Sequence, residues 1–241
     1  VDEYLAGRTP NPCVICNRKI KWEELIRKSD ALGAEYIATG HYAKVKCDET
    51  TKRYYISRGR DESKDQSYAL WGLTQESLSK TLFPLAEMTK PESREFGEKL
   101  GLANMRKGES YEICFIPDNN YERFLKQRLP QLESQVAGGD IVQDSHIVGK
   151  HRGFPFYTVG QRKGIGVAQP EPVYVTSIDH QNNRIEIGAE DKLYKRGLIA
   201  KNVNLQKYAD CISRRVHAKI RYKDPGGEAT IQQMSDGRVQ V

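Results

Sequence analysis

The chain lacks a long hydrophobic run: no stretch of about 18 consecutive apolar residues, the length that crosses a bilayer, occurs among its 241 residues. It does not open on a basic segment followed by an apolar one, so we expect neither membrane insertion nor export, and a cytoplasmic location. Internal repeats and low-complexity tracts are also missing. These absences leave a globular protein of one large domain or about two to three small ones.

Cysteine is scarce. The chain has five, an odd number: Cys13, Cys16, Cys47, Cys114 and Cys211. A chain of this length does not need disulfide staples to hold its core, so we expect reduced thiols.

The pair Cys13 and Cys16, in "GRTPNPCVICNRKIKW", is compatible with a zinc site, a redox dithiol or a single reactive sulfur. Zinc needs about four ligands and no second pair occurs, so we expect no metal. A helix beginning near Asn17, with basic residues after it, favours a thiolate at Cys16. The alternative is a small buried apolar residue.

Charge of one sign is only mildly in excess, with 38 Lys and Arg against 32 acidic residues. A net charge of +6 suits a polyanionic partner, although an ordinary solvated surface explains it equally well. Two segments are especially rich in basic residues. "YTVGQRKGIGV" carries Arg162 and Lys163 in a glycine-rich loop, and "RRVHAKIRYK" alternates cationic and apolar residues, which predicts a strand with a cationic face formed by Arg215, His217, Lys219, Arg221 and Lys223.

The first half of the chain reads as α/β. Trp22, Leu25, Ile26 and Leu32 fall at helical spacing before Gly33, and "EYIATGHYAKV" follows as a strand broken at Gly40. "TKPESREFGEKLGL" predicts a helix capped by Thr89, with Pro91 in its first turn and Gly101 as its stop. Another helix is predicted over residues 121–129, and "SKDQSYALWGL" reads as a helix cap ahead of an apolar helix.

The second half reads as mostly strand, in the runs "AGGDIV", "FPFYTV", "PVYVTSI" and "RIEIG", with a hairpin turn at "DHQNN". We therefore predict three parts: residues 1–129, 130–192 and 193–241. The closing "EATIQQMSDGRVQV" predicts a hairpin, and the opening helix and strand lack the companion strands of a parallel sheet. We expect the chain to be an internal piece of a longer protein.

Three further positions are candidates for function. Gly40 and His41 follow an apparent parallel strand, at the end where α/β sheets bind ligands, although a plain glycine turn fits as well. Cys114 lies in a strand-like run between turns, a place for either a core residue or a functional one.

In order and spacing, "GRTPNPCVICNRKIKW", "ATGHYA", "KDQSYALWGL", "ESYEICFI" and "HRGFPFYTVGQRKGIGV" resemble the tRNA-specific 2-thiouridylases, PP-loop ATP pyrophosphatases. The resemblance implies a remainder of the α/β catalytic domain, with its parallel sheet, then a small β-rich domain and a partial C-terminal β-barrel. It also implies thiolation of the wobble uridine of tRNA at C2, using ATP with Mg²⁺ and a persulfide relayed from a cysteine desulfurase.

The resemblance assigns roles to single residues. Cys16 matches the catalytic nucleophile and Cys114 the cysteine that bears the persulfide; whether the two form a disulfide at rest stays open. Gly40 matches an ATP contact. The matches to tRNA contacts are Asn11, Pro12, Cys13, His41, Lys64, Asp65, Gln66, Arg221 and Tyr222.

Three departures from the family pattern stand out. Many members have Asp, the proposed acid/base group, where this chain has Cys13, and Asp-Ser-Thr-Gly where it reads Glu109-Ser110-Tyr111-Glu112. The Ser-Gly-Gly-x-Asp-Ser loop that cradles pyrophosphate does not occur in the sequence. The alternatives are a related nucleotide-activating tRNA-modifying enzyme and an RNA-binding module with structural cysteines.

Overall fold

The computed structural model describes residues 1–103, 114–116, 118, 120–211, 213–222 and 224–241. The chain divides into two compact units, each made of two stretches of sequence. The first unit comprises Val1–Asn11 and Ser110–Arg196, and the second comprises Pro12–Glu109 and Gly197–Val241. The division into three parts at residues 129 and 192 stays a prediction.

The described residues form seven α-helices, none of them long and apolar enough to cross a membrane. In chain order they are α1 Asp2–Leu5, α2 Pro12–Ile15, α3 Glu23–Ala31, α4 Gln75–Ser79, α5 Lys90–Lys99, α6 Tyr121–Arg128 and α7 Leu132–Val136. A π-helical segment, Cys16–Trp22, joins α2 to α3, so the three run as one helical stretch.

Twelve strands, all short, occur in the same part of the chain. They are β1 Ile37–Ala38, β2 Ala43–Cys47, β3 Tyr54–Arg58, β4 Thr81–Leu82, β5 Asp140–Gln143, β6 His146–Lys150, β7 Tyr174–Asp179, β8 Arg184–Gly188, β9 Ile199–Ala200, β10 Arg214–Ala218, β11 Gly227–Gln233 and β12 Val239–Gln240.

The first unit is a four-stranded sheet in the order β6-β5-β8-β7 with three helices. Strands β5 and β8 are parallel, and the other neighbours are antiparallel. Alternate side chains of β8, Ile185 and Ile187, are fully buried with Phe156 in the core of this unit. Helix α1 joins this unit because the Tyr4 ring stacks on Tyr121 at 5.6 Å.

The second unit holds the parallel pair β1-β4, the hairpin β2-β3 and a C-terminal sheet in the order β10-β11-β12-β9. Trp22, Leu70 and Leu78 are fully buried at the centre of its core. The predicted class, an α/β part with β-rich parts after it, is confirmed. Among the described strands no sheet closes into a barrel, so the predicted partial barrel is present as an open sheet.

Local sequence signals predicted several elements correctly. Thr89 and Glu92 form a reciprocal capping box at α5, with Pro91 in the first turn. Helix α6 occupies the range predicted for it, and the hairpin β7-β8 turns at the predicted place. The C-terminal hairpin β11-β12 also forms, but it is extended by β9 and β10.

The start of the first long helix was predicted wrongly. The helix begins at Pro12 rather than near Asn17, because a proline fits the first helical turn, where no backbone N–H is needed. Cys13 therefore lies in the first turn, and Cys16 lies one turn further along, at the start of the π-helical segment.

Two apolar runs do not form the predicted elements. "FPFYTV" is not a strand, since Phe154–Phe156 form one 3₁₀ turn and proline cannot donate to a ladder. No apolar α-helix follows Ser67: the residues Ser67–Ala69 form a single 3₁₀ turn. Asp65 accepts from both the backbone N–H and the hydroxyl of Ser67, which fixes a turn there.

The prediction of a cationic strand was only partly correct. Strand β10 carries Arg215 and His217 on its exposed face but ends at Ala218. The backbone N–H of Ile220 then donates to Asp224 Oδ2 at 3.0 Å, so the chain turns, and Lys219 and Arg221 are not on the strand. Lys223 lies outside the described residues.

Candidate active site

The helical stretch that begins at Pro12 carries both early cysteines, each with a half-buried side chain. Cys16 opens the π-helical segment Cys16–Trp22. π-Helical turns are rare and occur frequently at functional sites, because they displace side chains from their ordinary α-helical positions. The exposed cations Arg18, Lys19 and Lys21 follow Cys16 in the same segment.

All five cysteines are free thiols in the structure. Cys16 belongs to the second unit and Cys114 to the first. Cys114 is exposed, and the ring of its neighbour Phe115 lies 5.7 Å from Phe124. The atypical residues 109–112 before it lie outside the described residues.

Two buried hydrogen bonds fix the cysteine-bearing helix within the second unit. Asn17 is 3% exposed and donates through Nδ2 to the carbonyl of Ala69 at 3.0 Å. Trp22 is fully buried and donates through Nε1 to the hydroxyl of Thr81 at 2.8 Å. The helix is thereby attached to the turn after Gln66 and to strand β4.

Gly40 lies exposed just beyond the carboxyl end of β1, where it was predicted to contact ATP. A Cβ placed there would meet only Leu85 Cδ1, at 3.7 Å, which is an ordinary contact. Since β1 and β4 are parallel, this edge is where ligands bind in open α/β sheets. The position therefore fits a nucleotide approaching the backbone.

His41 is packed rather than presented to solvent. Its ring lies 5.4 Å from that of Trp22, and its Nδ1 is 2.9 Å from the hydroxyl of Thr39. Burial, aided by the positive charge of Lys21, lowers the pKa of His41 to about 4. His41 is therefore neutral at physiological pH, and its predicted contact with tRNA would be made by a neutral ring.

The predicted RNA-contacting residues Lys64, Asp65 and Gln66 form a turn whose shape is set by side chains. Gln66 Oε1 accepts from the backbone N–H of Tyr42 at 3.1 Å, and the Gln66 N–H donates to the Tyr42 carbonyl at 3.0 Å. Together with the bonds of Asp65 to Ser67, these contacts hold the segment beside the residues that follow β1.

Tyr68 connects three of the predicted site segments. Its ring centroid lies 4.6 Å from that of Tyr222, and the Tyr222 hydroxyl donates to the carbonyl of Ser63 at 3.5 Å. Burial raises the pKa of Tyr68, and electrostatic interactions with Cys13, Tyr222 and Asp65 raise it further. Tyr68 directly follows the turn at residues 64–66 and contacts the exposed Tyr222. It also belongs to the Ser67–Ala69 turn, whose Ala69 carbonyl accepts from Asn17 of the cysteine-bearing helix within the same unit.

Tyr68 was missed by the sequence reasoning. It directly follows the segment "KDQS", so the only signal was an aromatic residue beside a predicted RNA contact. Asn11, the first residue of the predicted base-contacting turn, is exposed, and Pro12 after it begins α2.

The glycine-rich loop of the first unit is ordered by one side chain. Gln161 Oε1 accepts from the Thr158 N–H at 3.1 Å, and its Nε2 donates to the Lys163 carbonyl at 2.9 Å. Gly160 adopts φ +87° and Gly164 φ +70°, which glycine reaches without strain. Arg162 and Lys163 project into solvent, as a contact to phosphate requires.

No group of three or more His, Cys, Asp or Glu side chains in the described part of the chain is placed to hold a metal ion.

Two family models match the chain. The model described as "tRNA methyl transferase HUP domain" matches residues 1–118. The model described as "tRNA methyl transferase PRC-barrel domain" matches residues 122–189.

Curated relatives match over nearly the whole chain. A tRNA-specific 2-thiouridylase MnmA from Amoebophilus asiaticus is 54% identical over 238 residues, which cover 97% of this chain and 63% of that protein. The enzyme of the same name from Salinibacter ruber is 51% identical, covering 100% and 63%. That from Chlorobium phaeobacteroides is 44% identical, covering 100% and 67%. The chain thus spans about 63% of the length of the first two relatives.

Proposed function

The chain belongs to the family of tRNA-specific 2-thiouridylases, and from this membership we propose that the whole protein replaces the C2 oxygen of the wobble uridine of tRNA with sulfur. The observation that carries the proposal is that, within one unit, the cysteine-bearing helix is hydrogen-bonded through Asn17 to the turn that holds Tyr68, and Tyr68 contacts Tyr222, a predicted tRNA contact. Because tRNA is the substrate, the activity belongs in the cytoplasm.

Nucleotide use is supported by the parallel pair β1-β4 and the open space at Gly40. When bound, ATP supplies the adenylyl group that turns the C2 oxygen of uridine into a leaving group. His41, the residue after Gly40, packs its neutral ring against the buried indole of Trp22.

The sulfur step uses two thiols, since one must deliver sulfur and the other must release it. The terminal sulfur of a persulfide on Cys114, supplied by a cysteine desulfurase relay, forms a bond to C2 as the activated oxygen leaves with AMP. The Cys16 thiolate then attacks Cys114 Sγ and breaks the sulfur–sulfur bond. Sulfur stays on C2, the two cysteines become a disulfide, and a thiol reductant returns them to the free thiols of the structure.

The test is an assay of the full-length protein with tRNA, ATP, a cysteine desulfurase and free cysteine. We expect 2-thiouridine to form, and Cys16→Ser or Cys114→Ser to abolish it. Cys47→Ser is the matched control, because Cys47 is an exposed free thiol at the end of β2. Undiminished product from both Cys16→Ser and Cys114→Ser would overturn the roles assigned to them.

Mass analysis of the nucleosides separates the proposal from its relatives. A 4-thiouridine or a lysidine product in place of 2-thiouridine would identify another tRNA-modifying reaction. Binding of tRNA without any modified product would favour an RNA-binding module in which the cysteines are structural.

A further inference from the structure

Tyr68 and Tyr222 form a tilted ring pair that is exposed although both residues are aromatic. Tyr68 keeps 36% and Tyr222 keeps 46% of its surface in solvent. The two rings come from distant parts of the sequence and lie 4.6 Å apart with an interplanar angle of 35°. An aromatic pair that served the core alone would bury most of this surface. The pair instead presents ring surface to something outside the chain.

The surroundings of the pair indicate an RNA ligand. Lys219 Nζ lies 5.9 Å from the Tyr222 ring centroid, so a cation stands beside the rings. The Tyr222 hydroxyl lies 3.5 Å from the carbonyl oxygen of Ser63, next to the predicted RNA-contacting turn. Aromatic faces next to cations are the usual means by which proteins hold unpaired bases.

We propose that Tyr68, together with Tyr222, forms a stacking platform for one nucleobase of the single-stranded RNA loop that carries the target uridine. This inference rests on the proposed function. It adds Tyr68, which the family resemblance does not assign, as a base-contacting residue. Because the two rings already lie against each other, the base lies on their outer surface; a base between them would have to separate them.

The first test measures binding of an anticodon stem–loop to the full-length protein. Tyr68→Leu removes the flat ring, and we expect about 10-fold to 100-fold weaker binding. Tyr68→Phe keeps the ring and should bind like the unaltered protein. Tyr36→Leu is the matched control, because Tyr36 is 53% exposed in the same unit and lies outside the platform.

Stem–loops with one base removed, at the target uridine or at either neighbour, distinguish stacking from a general loss. We expect Tyr68→Leu to cause no further loss with one of these abasic RNAs, and that position identifies the stacked base. An equal loss with every abasic RNA, or no loss with the intact RNA, overturns the platform. If the unaltered protein does not bind the intact stem–loop at all, the proposed function itself fails.

Photo-crosslinking tests the platform without any substitution in the protein. Stem–loops with 5-iodouridine at the same positions are irradiated with the unaltered full-length protein, and the attached peptides are identified by mass spectrometry. Attachment at Tyr68 or Tyr222 is expected. Attachment confined to peptides outside residues 63–69 and 219–222 would overturn the platform.

Discussion

Trp22 donates a hydrogen bond through Nε1 to the hydroxyl of Thr81 at 2.8 Å, and both side chains are buried. Trp22 ends the π-helical segment that Cys16 begins, and Thr81 opens strand β4. The same indole packs against His41 and Phe83. One bond therefore ties the cysteine-bearing helix to the parallel strands at whose edge the nucleotide is expected.

Trp22→Phe should lower the free energy of unfolding by about 1–3 kcal/mol, since it removes a buried hydrogen bond and leaves the ring space partly unfilled. The matched control is Trp71→Phe, because Trp71 is 49% exposed and the change should stay within about 0.5 kcal/mol. Urea unfolding followed by circular dichroism measures both variants. Equal losses in the two would show that the buried bond contributes nothing.

His41 should make stability depend on pH. Its folded pKa of about 4 lies below the ordinary value of 6.5, so the unfolded chain binds the proton more readily. The contribution is complete above about pH 6.5 and is lost as the pH falls toward 4, by at most about 3 kcal/mol.

The measurement for His41 compares urea unfolding between pH 4.5 and pH 7 for the unaltered protein and His41→Gln. We expect a flatter profile for the variant. His151, whose pKa is also lowered chiefly by burial, is present in both proteins, so its effect cancels in the comparison. Parallel profiles would contradict the assignment.

Gly40→Ala should weaken ATP binding about 10-fold or more while leaving the fold unchanged. The added methyl group meets only Leu85 within the chain, so a loss of affinity would report a ligand that approaches the backbone. Gly227→Ala is the control, because a Cβ there meets no atom within 4 Å and the residue lies in the C-terminal sheet. Calorimetric titration of the full-length protein with ATP gives both affinities, and equal values would argue against a contact at Gly40.

Signals carried by neighbouring residues predicted the fold well. The capping pair Thr89 and Glu92 and the left-handed Gly33 each act within a few positions, so the sequence marks the helix ends directly. The turn at Ser67 was not predicted, because part of what holds it is the pairing of Gln66 with Tyr42, 24 positions earlier. Helical periodicity likewise does not distinguish a π-helical segment from an α-helix, which left the geometry at Cys16 undetermined.

The candidate site was likewise predicted only in part. The resemblance pointed to single residues, whereas their grouping depends on contacts such as that of Tyr222 with Ser63, 159 positions apart. A contact between residues so far apart in the chain produces no periodic pattern in the sequence. Tyr68 became visible only when the structure brought its ring against that of Tyr222.

Cys13→Asp tests which group acts as the acid/base at the position where the family resemblance predicts an aspartate. If the Cys13 thiol is the acid/base group, an aspartate with an ordinary pKa near 3.9 in place of a thiol near 8.5 should shift the limb of the pH–rate profile to lower pH. We expect Cys13→Asp to keep activity with this shift and Cys13→Ala to lose about 10²-fold or more. Full activity in Cys13→Ala would assign the proton transfer to water or another residue.

Arg162→Gln tests whether the ordered basic loop of the first unit contacts the RNA backbone. The side chain projects into solvent from a loop held by Gln161, so its removal should not disturb the fold. Loss of one phosphate contact should weaken tRNA binding similarly for all tRNA sequences and reduce the slope of log affinity against log salt concentration by about 1.

Lys195→Gln is the control, since Lys195 is an exposed cation of the same unit outside the loop and the substitution changes the net charge equally. Filter-binding titrations from low to moderate salt measure both slopes. An equal change in the two variants would show that only the overall charge matters, whereas a change confined to Arg162→Gln would locate a phosphate contact at the loop.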